Sequence, residues 1–297
     1  MKRLSNIFGL LLLLMVTTAC PGPVSILYQV DVTVGTSALL RNFKGYRPDD
    51  EEMISDGSQK AKLLIQAFVY DEDGSLLQSF SELADNYGAS YSFTTKVACA
   101  SPTIVVFSYC ILGNVSSPSY QAYVVSGQQS LNSLEITRDT HFFNIPWMVL
   151  GGAVKKMDSS SSSANIELSP LGGVVYIHFK DIHAHDSQYA APDTYTFWHH
   201  SNNIVRMENG RFIYDTTLTS TYSFTSDASP SDFPSSQGVY VLRFIQPGTF
   251  DISASYEVGS DRYFFDEGVA TVSEGKQYVA EIDCSSYKLS FREGYFQ

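Results

Sequence analysis

Residues 61–81, AKLLIQAFVYDEDGSLLQSFS, restrict the fold of this chain more than any other stretch. In an extended strand, successive side chains point to opposite faces. One face of 62–70 would carry Leu63, Ile65, Ala67 and Val69, and the other Leu64, Gln66, Phe68 and Tyr70. Because both faces are largely apolar, the stretch predicts an interior strand and not a solvated edge. Residues 71–74, DEDG, are typical of a tight turn, so the stretch predicts a buried β-hairpin.

The rest of the chain also has the features of a β protein. It contains 19 Tyr and 19 Phe among 297 residues, and no long stretch after the N-terminus shows the 3.6-residue apolar period of a helix. We therefore predict an all-β protein, and the length favours two domains. Further strands are expected at 25–34, 91–98, 103–112, 153–157, 165–168, 173–181, 239–245, 250–258, 262–270, 276–284 and 287–292. The segments 165–168 and 173–181 are expected to pair with each other across Ser169-Pro170.

The first twenty residues form the most specific motif. Lys2 and Arg3 precede an apolar run at 7–16, and Thr17, Thr18 and Ala19 lead to Cys20. This arrangement is similar to a bacterial lipoprotein signal, in which Cys20 receives the lipid and becomes the mature N-terminus. An ordinary secretory signal with an incidental Cys20 is the alternative. Either interpretation predicts export.

The charge of the chain argues against one class of partner. The formal net charge is −12, and it becomes −14 if residues 1–19 are removed, since Lys2 and Arg3 leave with them. A field of this sign repels phosphate backbones, so we expect no nucleic-acid partner. Three cysteines remain after Cys20, namely Cys99, Cys110 and Cys284. Their spacing establishes no disulfide, and buried free thiols are an equal alternative.

Few residues suggest chemistry. His183, His185 and Asp186 resemble part of a zinc site, but the stretch follows a predicted strand end, which favours a solvated loop. His199-His200 could lie nearby, although adjacent residues point apart in a strand.

Other candidates are weaker still. Asp71, Glu72 and Asp73 lack the distant glutamate of a calcium loop and are interpreted as turn residues. Trp147 and Trp198 could stack on sugars, but aromatic residues in β-sandwiches mostly fill cores. The sequence carries no nucleophile elbow, zinc-protease helix or nucleotide fingerprint. We therefore expect no catalytic residue, metal ligand or cofactor, and a non-enzymatic protein.

Together these pieces resemble a known family. The lipoprotein signal, the SILYQVDVTV segment at 25–34 and the hairpin at 62–80 are similar to fimbrillin-like proteins of Bacteroides-type bacteria, above all to anchor and accessory subunits associated with fimbrillin A. In that group a second domain begins with a strand pair, matched here at 166–168 and 171–179, although the usual Arg is replaced within 168–171, LSPL. The resemblance implies a signal at 1–19 and two tandem transthyretin-like β-sandwiches at 20–148 and 149–297.

The same resemblance implies a function. Family pilins mature by cleavage after an Arg, which releases the first strand and lets an incoming subunit's strand fill the groove. Arg41 follows the predicted first strand and is the candidate cleavage site. We therefore expect a fimbrial anchor or minor subunit that adds strands from other subunits. It would be held in the outer membrane by acyl chains on Cys20 and exposed at the cell surface or in the fimbrium.

Anchor and subunit make opposite demands on the bond after Arg41, because an anchor must keep its lipidated N-terminus. A surface glycan-binding lipoprotein is the alternative function, with exposed aromatic residues as its platform. A lipid-anchored hydrolase is the third.

Overall fold

The structure is a computed structural model, and it describes residues 26–39, 62–84, 90–114, 117–138, 149–180, 194–202, 204–214, 219–226, 239–258, 260–265 and 267–295. Most of these residues are in strands, which confirms the predicted all-β class. The part of the chain that the structure describes holds no helix with the length and apolarity needed to cross a bilayer.

Two sheets form a first sandwich. Sheet 1 has the order β10-β1-β4, and sheet 2 has the order β11-β9-β5-β2-β3, with β6 also paired to β5. Their strands are β1 (Tyr28–Gly35), β2 (Lys62–Tyr70), β3 (Leu76–Ala84), β4 (Ser90–Val97), β5 (Thr103–Asn114), β6 (Ser117–Gln121), β9 (Gly151–Lys156), β10 (Ser163–Glu167) and β11 (Ser169–Pro170).

Sheet 3 joins the two halves of the chain. Its order is β15-β14-β8-β7, so two strands come from each half. These strands are β7 (Tyr123–Ser126), β8 (Glu135–Arg138), β14 (Ile204–Glu208) and β15 (Arg211–Tyr214). A short 3-10 helix at Leu131–Ser133 precedes β8.

Sheets 4 and 5 form a second sandwich. Sheet 4 has the order β17-β12-β21-β22, and sheet 5 has the order β16-β13-β18, with β19 and β20 both paired to β18. Their strands are β12 (Gly173–Lys180), β13 (Thr194–Asn202), β16 (Thr219–Ser226), β17 (Val239–Ile245), β18 (Gly248–Val258), β19 (Asp261–Phe264), β20 (Gly268–Val272), β21 (Gln277–Asp283) and β22 (Lys288–Glu293).

The predicted hairpin is confirmed. Strand β2 lies between β3 and β5, in antiparallel register with both. In the turn, the Asp71 carboxylate accepts hydrogen bonds from the backbone N–H groups of Asp73 (3.0 Å) and Ser75 (2.7 Å). Gly74 has φ +82°, a conformation that glycine adopts without a steric penalty. These residues therefore act as turn residues, as the sequence predicts.

Two apolar cores explain why strand β2 is apolar on both faces. One alternate set, Leu63, Ile65, Ala67 and Val69, lies in the core between sheets 1 and 2. The other set, Leu64, Phe68 and Tyr70, lies in a second core shared with sheets 3 and 4. Gln66 on that second side accepts a hydrogen bond from the Tyr109 hydroxyl at 2.8 Å, so its oxygen is satisfied. Burial raises the pKa of Tyr109 above its ordinary value, because water is excluded around the phenol.

Strand β12 plays the same role in the second half. Val175, Ile177 and Phe179 fill the core between sheets 4 and 5. Val174 and Tyr176, on the opposite face, belong to the core shared with sheet 2. The two halves are therefore joined by one continuous core as well as by sheet 3. The boundary predicted between 148 and 149 stays a prediction, and β9, β10 and β11, which follow it, hydrogen-bond in sheets 1 and 2.

Two local predictions are wrong. Segments 165–168 and 173–181 do not pair with each other, because β10 pairs with β1 and β12 pairs with β17 and β21. The expected strand 262–270 is two strands, β19 and β20, which pair with successive parts of β18.

The cysteine alternatives are resolved for the described residues. Cys99, Cys110 and Cys284 are all buried as free thiols. They behave as small apolar side chains in the cores.

Candidate functional site

The first strand of the described chain occupies the middle of sheet 1. Strand β1 is antiparallel to β4, from Tyr28 opposite Val97 to Gly35 opposite Ser90. On its other side it is parallel to β10, from Asp31 opposite Ser163 to Gly35 opposite Glu167. The expectation that residues 25–34 form a paired strand is confirmed over 28–34. We call the space that β1 fills, between β4 and β10 and above sheet 2, the β1 groove.

The inner face of β1 fills the first core. Val30, Val32 and Val34 are 2%, 1% and 0% exposed and belong to the core between sheets 1 and 2. Complete burial of a valine side chain stabilises a fold by about 1.5 kcal/mol or more. Loss of β1 would therefore uncover this core and leave β4 and β10 without a neighbour on one side.

The outer face of β1 is polar and fixes the strand laterally. The Asp31 carboxylate accepts a hydrogen bond from the Thr94 hydroxyl at 2.7 Å and one from the Gln29 amide at 3.4 Å. The hydroxyls of Thr33 and Ser92 lie 3.2 Å apart across the same strand pair. These contacts lie on the solvent side, so they specify register more than they add stability.

Strand β10 is the element of this site that sequence reasoning missed. The prediction placed 165–168 beside 173–181, whereas β10 reaches back 132 residues, pairing Asp31 with Ser163. A parallel neighbour is not joined by a short turn, so no local signal marks it.

Among the described strands, β4 ends sheet 1 and β3 ends sheet 2. A cavity of about 100 Å³ lies between the edge strands β3 and β4. Phe80 and Phe93 stack at its mouth, with ring centroids 4.2 Å apart, and Val34 and Ala67 line its floor. Glu82 and Ser92 contribute polar groups to the rim.

The C-terminal strand is paired as predicted. Strand β22 is antiparallel to β21, from Lys288 opposite Asp283 to Glu293 opposite Tyr278. It ends sheet 4, and its inward residues Leu289 and Phe291 are only partly buried. The ring of Phe291 stacks on Tyr278 at 5.2 Å.

Most residues that the sequence singled out lie outside the described residues. They are Cys20, Arg41, Trp147, His183, His185 and Asp186. Trp198, His199 and His200 lie in β13, but their side chains are not described. Within the described ranges, no group of three His, Cys, Asp or Glu residues is placed to hold a metal ion.

Comparison with known proteins bears on the fold. A scan against protein-family models finds no match, and a search of curated proteins finds none. Among solved structures, a candidate adhesin from Bacteroides thetaiotaomicron is 8% identical, with a TM-score of 0.51 over 91% of this chain and 97% of the other. A candidate polysaccharide-binding protein from the same species is 11% identical, with a TM-score of 0.52 over 87% and 93%.

A third match extends the group to another species. A candidate adhesin from Bacteroides ovatus is 10% identical, with a TM-score of 0.50 over 82% of this chain and 77% of the other. The chain shares their fold. At these identities the likeness concerns the arrangement of strands, and function has to be argued from the site.

Proposed function

We propose that this chain is a non-enzymatic, lipid-anchored component of a bacterial surface adhesin or fimbria, acting as an anchor or a minor subunit that joins other subunits by β-strand addition. The position of β1 carries the proposal. It is an N-terminal strand with two neighbours and three buried valines, so the groove it occupies is a ready-made receptor for an extended peptide.

Two further observations support this function. The lipoprotein-like signal ending at Cys20 would attach the chain to the outer membrane through acyl chains. Two of the solved structures with this fold are described as candidate adhesins of Bacteroides species. An adhesin or fimbrial component works at the cell surface, where its partners are other surface subunits.

Anchor and subunit differ in one covalent bond. In an anchor, β1 stays in its groove and the bond after Arg41 remains intact, because the lipid on Cys20 must stay connected to the fold. In a polymerising subunit, that bond is cleaved and another chain's strand replaces β1. N-terminal sequencing and intact mass of the protein isolated with its assembled partners distinguish a start at Cys20 from a start after Arg41.

The membrane attachment is tested separately. Cys20→Ala is expected to abolish fatty-acid labelling and release the protein from the membrane fraction, while Cys99→Ala, which changes a buried thiol, keeps the label. Equal labelling in both variants would contradict the lipid anchor. Failure to isolate any fimbrial or adhesin partner with the wild-type protein from outer membranes would contradict the assembly role.

A glycan-binding lipoprotein is the second candidate, favoured by the fold shared with a candidate polysaccharide-binding protein. Its platform would include the 63% exposed Phe264, over which the Arg262 guanidinium lies at 5.1 Å. Retention of the wild-type protein on a glycan array, with loss in Phe264→Ala, would favour this function over strand addition.

A further inference from the structure

The four residues that follow β1 turn the chain into the first core. The backbone N–H of Leu39 donates a hydrogen bond to the carbonyl of Thr36 at 3.2 Å, which closes a turn over 36–39. Leu39 is 0% exposed and belongs to the same buried cluster as the three inward valines of β1. The apolar series of β1 therefore continues past the strand, after a turn, to one more buried side chain.

Leu39 occupies a notch made by two small residues. Gly151 of β9 and Ser108 of β5 are directly opposite each other in sheet 2. A Cβ atom on Gly151 would lie 2.4 Å from Leu39 Cδ2 and 2.5 Å from the Ser108 hydroxyl, which is closer than packed atoms come. Elsewhere on the same face, β5 carries the larger Ile104 and Val106. The absence of a side chain at Gly151 thus creates the space that the leucine fills.

A carboxylate holds the turn from the other side. Glu167 Oε1 accepts hydrogen bonds from the Ser37 hydroxyl and from the Ala38 backbone N–H, both at 2.8 Å. The next residue, Leu168, donates its backbone N–H to the Gly35 carbonyl at 2.9 Å. A Cβ atom on Gly35 would lie 2.1 Å from Glu167 Oε2, so a larger residue at this position would displace the carboxylate from its present place.

In a strand with alternating apolar and polar residues, more than one register buries the apolar face. The contacts of the turn distinguish between these registers. A slip by one residue would turn the valines of β1 out of the core, but a slip by two residues would keep every apolar side chain inward. The groove would accept both registers almost equally if alternation were the only criterion. The turn and Leu39 break this repeat, because Leu39 lies five positions after Val34, an odd offset, with a turn between them.

We propose that Glu167, Gly151 and Ser108 form a latch that determines which strand the β1 groove holds and in which register. This proposal rests on the proposed function and deepens it. The ligand is an extended segment of a partner subunit with three inward β-branched residues at alternate positions, then a glycine and a small-residue turn, and a leucine five residues after the last inward residue. The chain's own residues 30–39 have this pattern.

The test uses the full chain with a site-specific protease sequence inserted after Arg41, which is cut after folding. The N-terminal segment is then held in the groove by non-covalent contacts alone. Labelled synthetic peptides of residues 26–39 are added in excess, and their incorporation and release are measured by fluorescence. Three peptides are compared: the wild-type sequence, Leu39→Ala, and Leu27→Ala, which changes a leucine that is 60% exposed.

We expect the wild-type and Leu27→Ala peptides to be retained equally, and the Leu39→Ala peptide to be released at least ten times faster. In a Gly151→Ala protein the preference should reverse, because the added methyl group fills the notch that the leucine needs and that the Leu39→Ala peptide leaves empty. A photo-crosslinker at position 33 should label Ser92 with the wild-type peptide. With Leu39→Ala it should also label Ser90 or Thr94, the positions two residues away.

The outcomes separate the two proposals. If no peptide is incorporated, strand addition in this groove is wrong. If the wild-type peptide is incorporated but the Leu39→Ala peptide is retained equally and in one register, the groove function stands and the latch is wrong. If Gly151→Ala fails to fold, the Leu39→Ala and Leu27→Ala peptides on the unchanged protein decide the question alone.

Discussion

The first and last strands that the structure describes, β1 and β22, are built into their sheets differently. Strand β1 has a neighbour on each side and three inward valines that are almost completely buried. Among the described strands, β22 pairs with β21 alone, and its inward Leu289 and Phe291 are partly exposed. Removing β22 would shorten a sheet by one edge strand, whereas removing β1 would divide sheet 1 and open the first core.

This difference has a functional meaning. A strand that can be exchanged between subunits needs a groove with specific side-chain sites, and of the two termini the position of β1 provides one. An edge strand offers hydrogen-bonding groups on its free side without a shaped core beneath it. We therefore expect β1 to contribute much more than β22 to the free energy of unfolding. The following experiments measure that difference.

The largest effect is expected from a charge on the inner face. Val32→Asp would bury an unpaired carboxylate in the first core and lower the free energy of unfolding by about 4 kcal/mol or more. The equivalent change on β22, Leu289→Asp, leaves the carboxylate close to solvent and should cost about 1–2 kcal/mol. Urea unfolding monitored by circular dichroism measures both.

The outward neighbour in β1 supplies the control. Thr33→Asp, on the polar face beside Ser92, should change the free energy of unfolding by about 0.5 kcal/mol. If Val32→Asp and Thr33→Asp had similar effects, the assignment of faces in β1 would be wrong.

A smaller effect is expected from truncating an aromatic ring on β22. Phe291→Ala removes the stacking on Tyr278 and part of the burial, and should cost about 2 kcal/mol. Phe68→Ala, in the core shared by the two halves, is the matched change at a buried site and should cost about 3–5 kcal/mol. Equal decreases in the free energy of unfolding for the two variants would show that β22 is buried more deeply than an edge strand, for example by a partner subunit.

The turn that leads to β22 should give a weak dependence on acid. Hydrogen bonds from Ser285 and Ser286 lower the pKa of Asp283 to about 2. Since the unfolded carboxyl titrates near its ordinary value of about 3.9, this contribution is present above that pH and is lost as the pH falls toward 2. Stability measured at pH 5 and pH 3 should differ less in Asp283→Asn than in the wild type. If the loss of stability between pH 5 and pH 3 were the same in Asp283→Asn as in the wild type, that loss would come from other carboxylates.

The smallest effect is expected at an exposed ion pair at the end of β22. The Lys276 ammonium lies 2.7 Å from the Glu293 carboxylate, which raises the pKa of the lysine through the hydrogen bond. Both side chains are largely in solvent, so Glu293→Gln should leave the unfolding midpoint unchanged at physiological salt. A clear shift would indicate that this end of β22 is covered in the protein in solution.

Local sequence patterns determined the individual strands of this protein. The alternation in 62–70 and the turn at 71–74 were sufficient to predict a hairpin, because side-chain direction in a strand depends only on position and a tight turn depends on its own residues. The same reasoning predicted strands at 25–34 and 287–292, which the structure has at Tyr28–Gly35 and Lys288–Glu293. These signals are local, so they predict a strand without reference to the elements that the strand packs against.

Tertiary structure decided which strands meet. Alternation does not distinguish one possible neighbour from another, so the parallel pairing of β1 with β10 and the assembly of sheet 3 from both halves had no signal in the chain. The latch shows this most clearly, since Glu167 contacts Ser37 across 130 residues and Leu39 depends on a missing side chain at Gly151. From sequence alone, a glycine within a strand or a glutamate at a strand end is compatible with many structural roles. Only the contacts in the folded chain show which role each residue has.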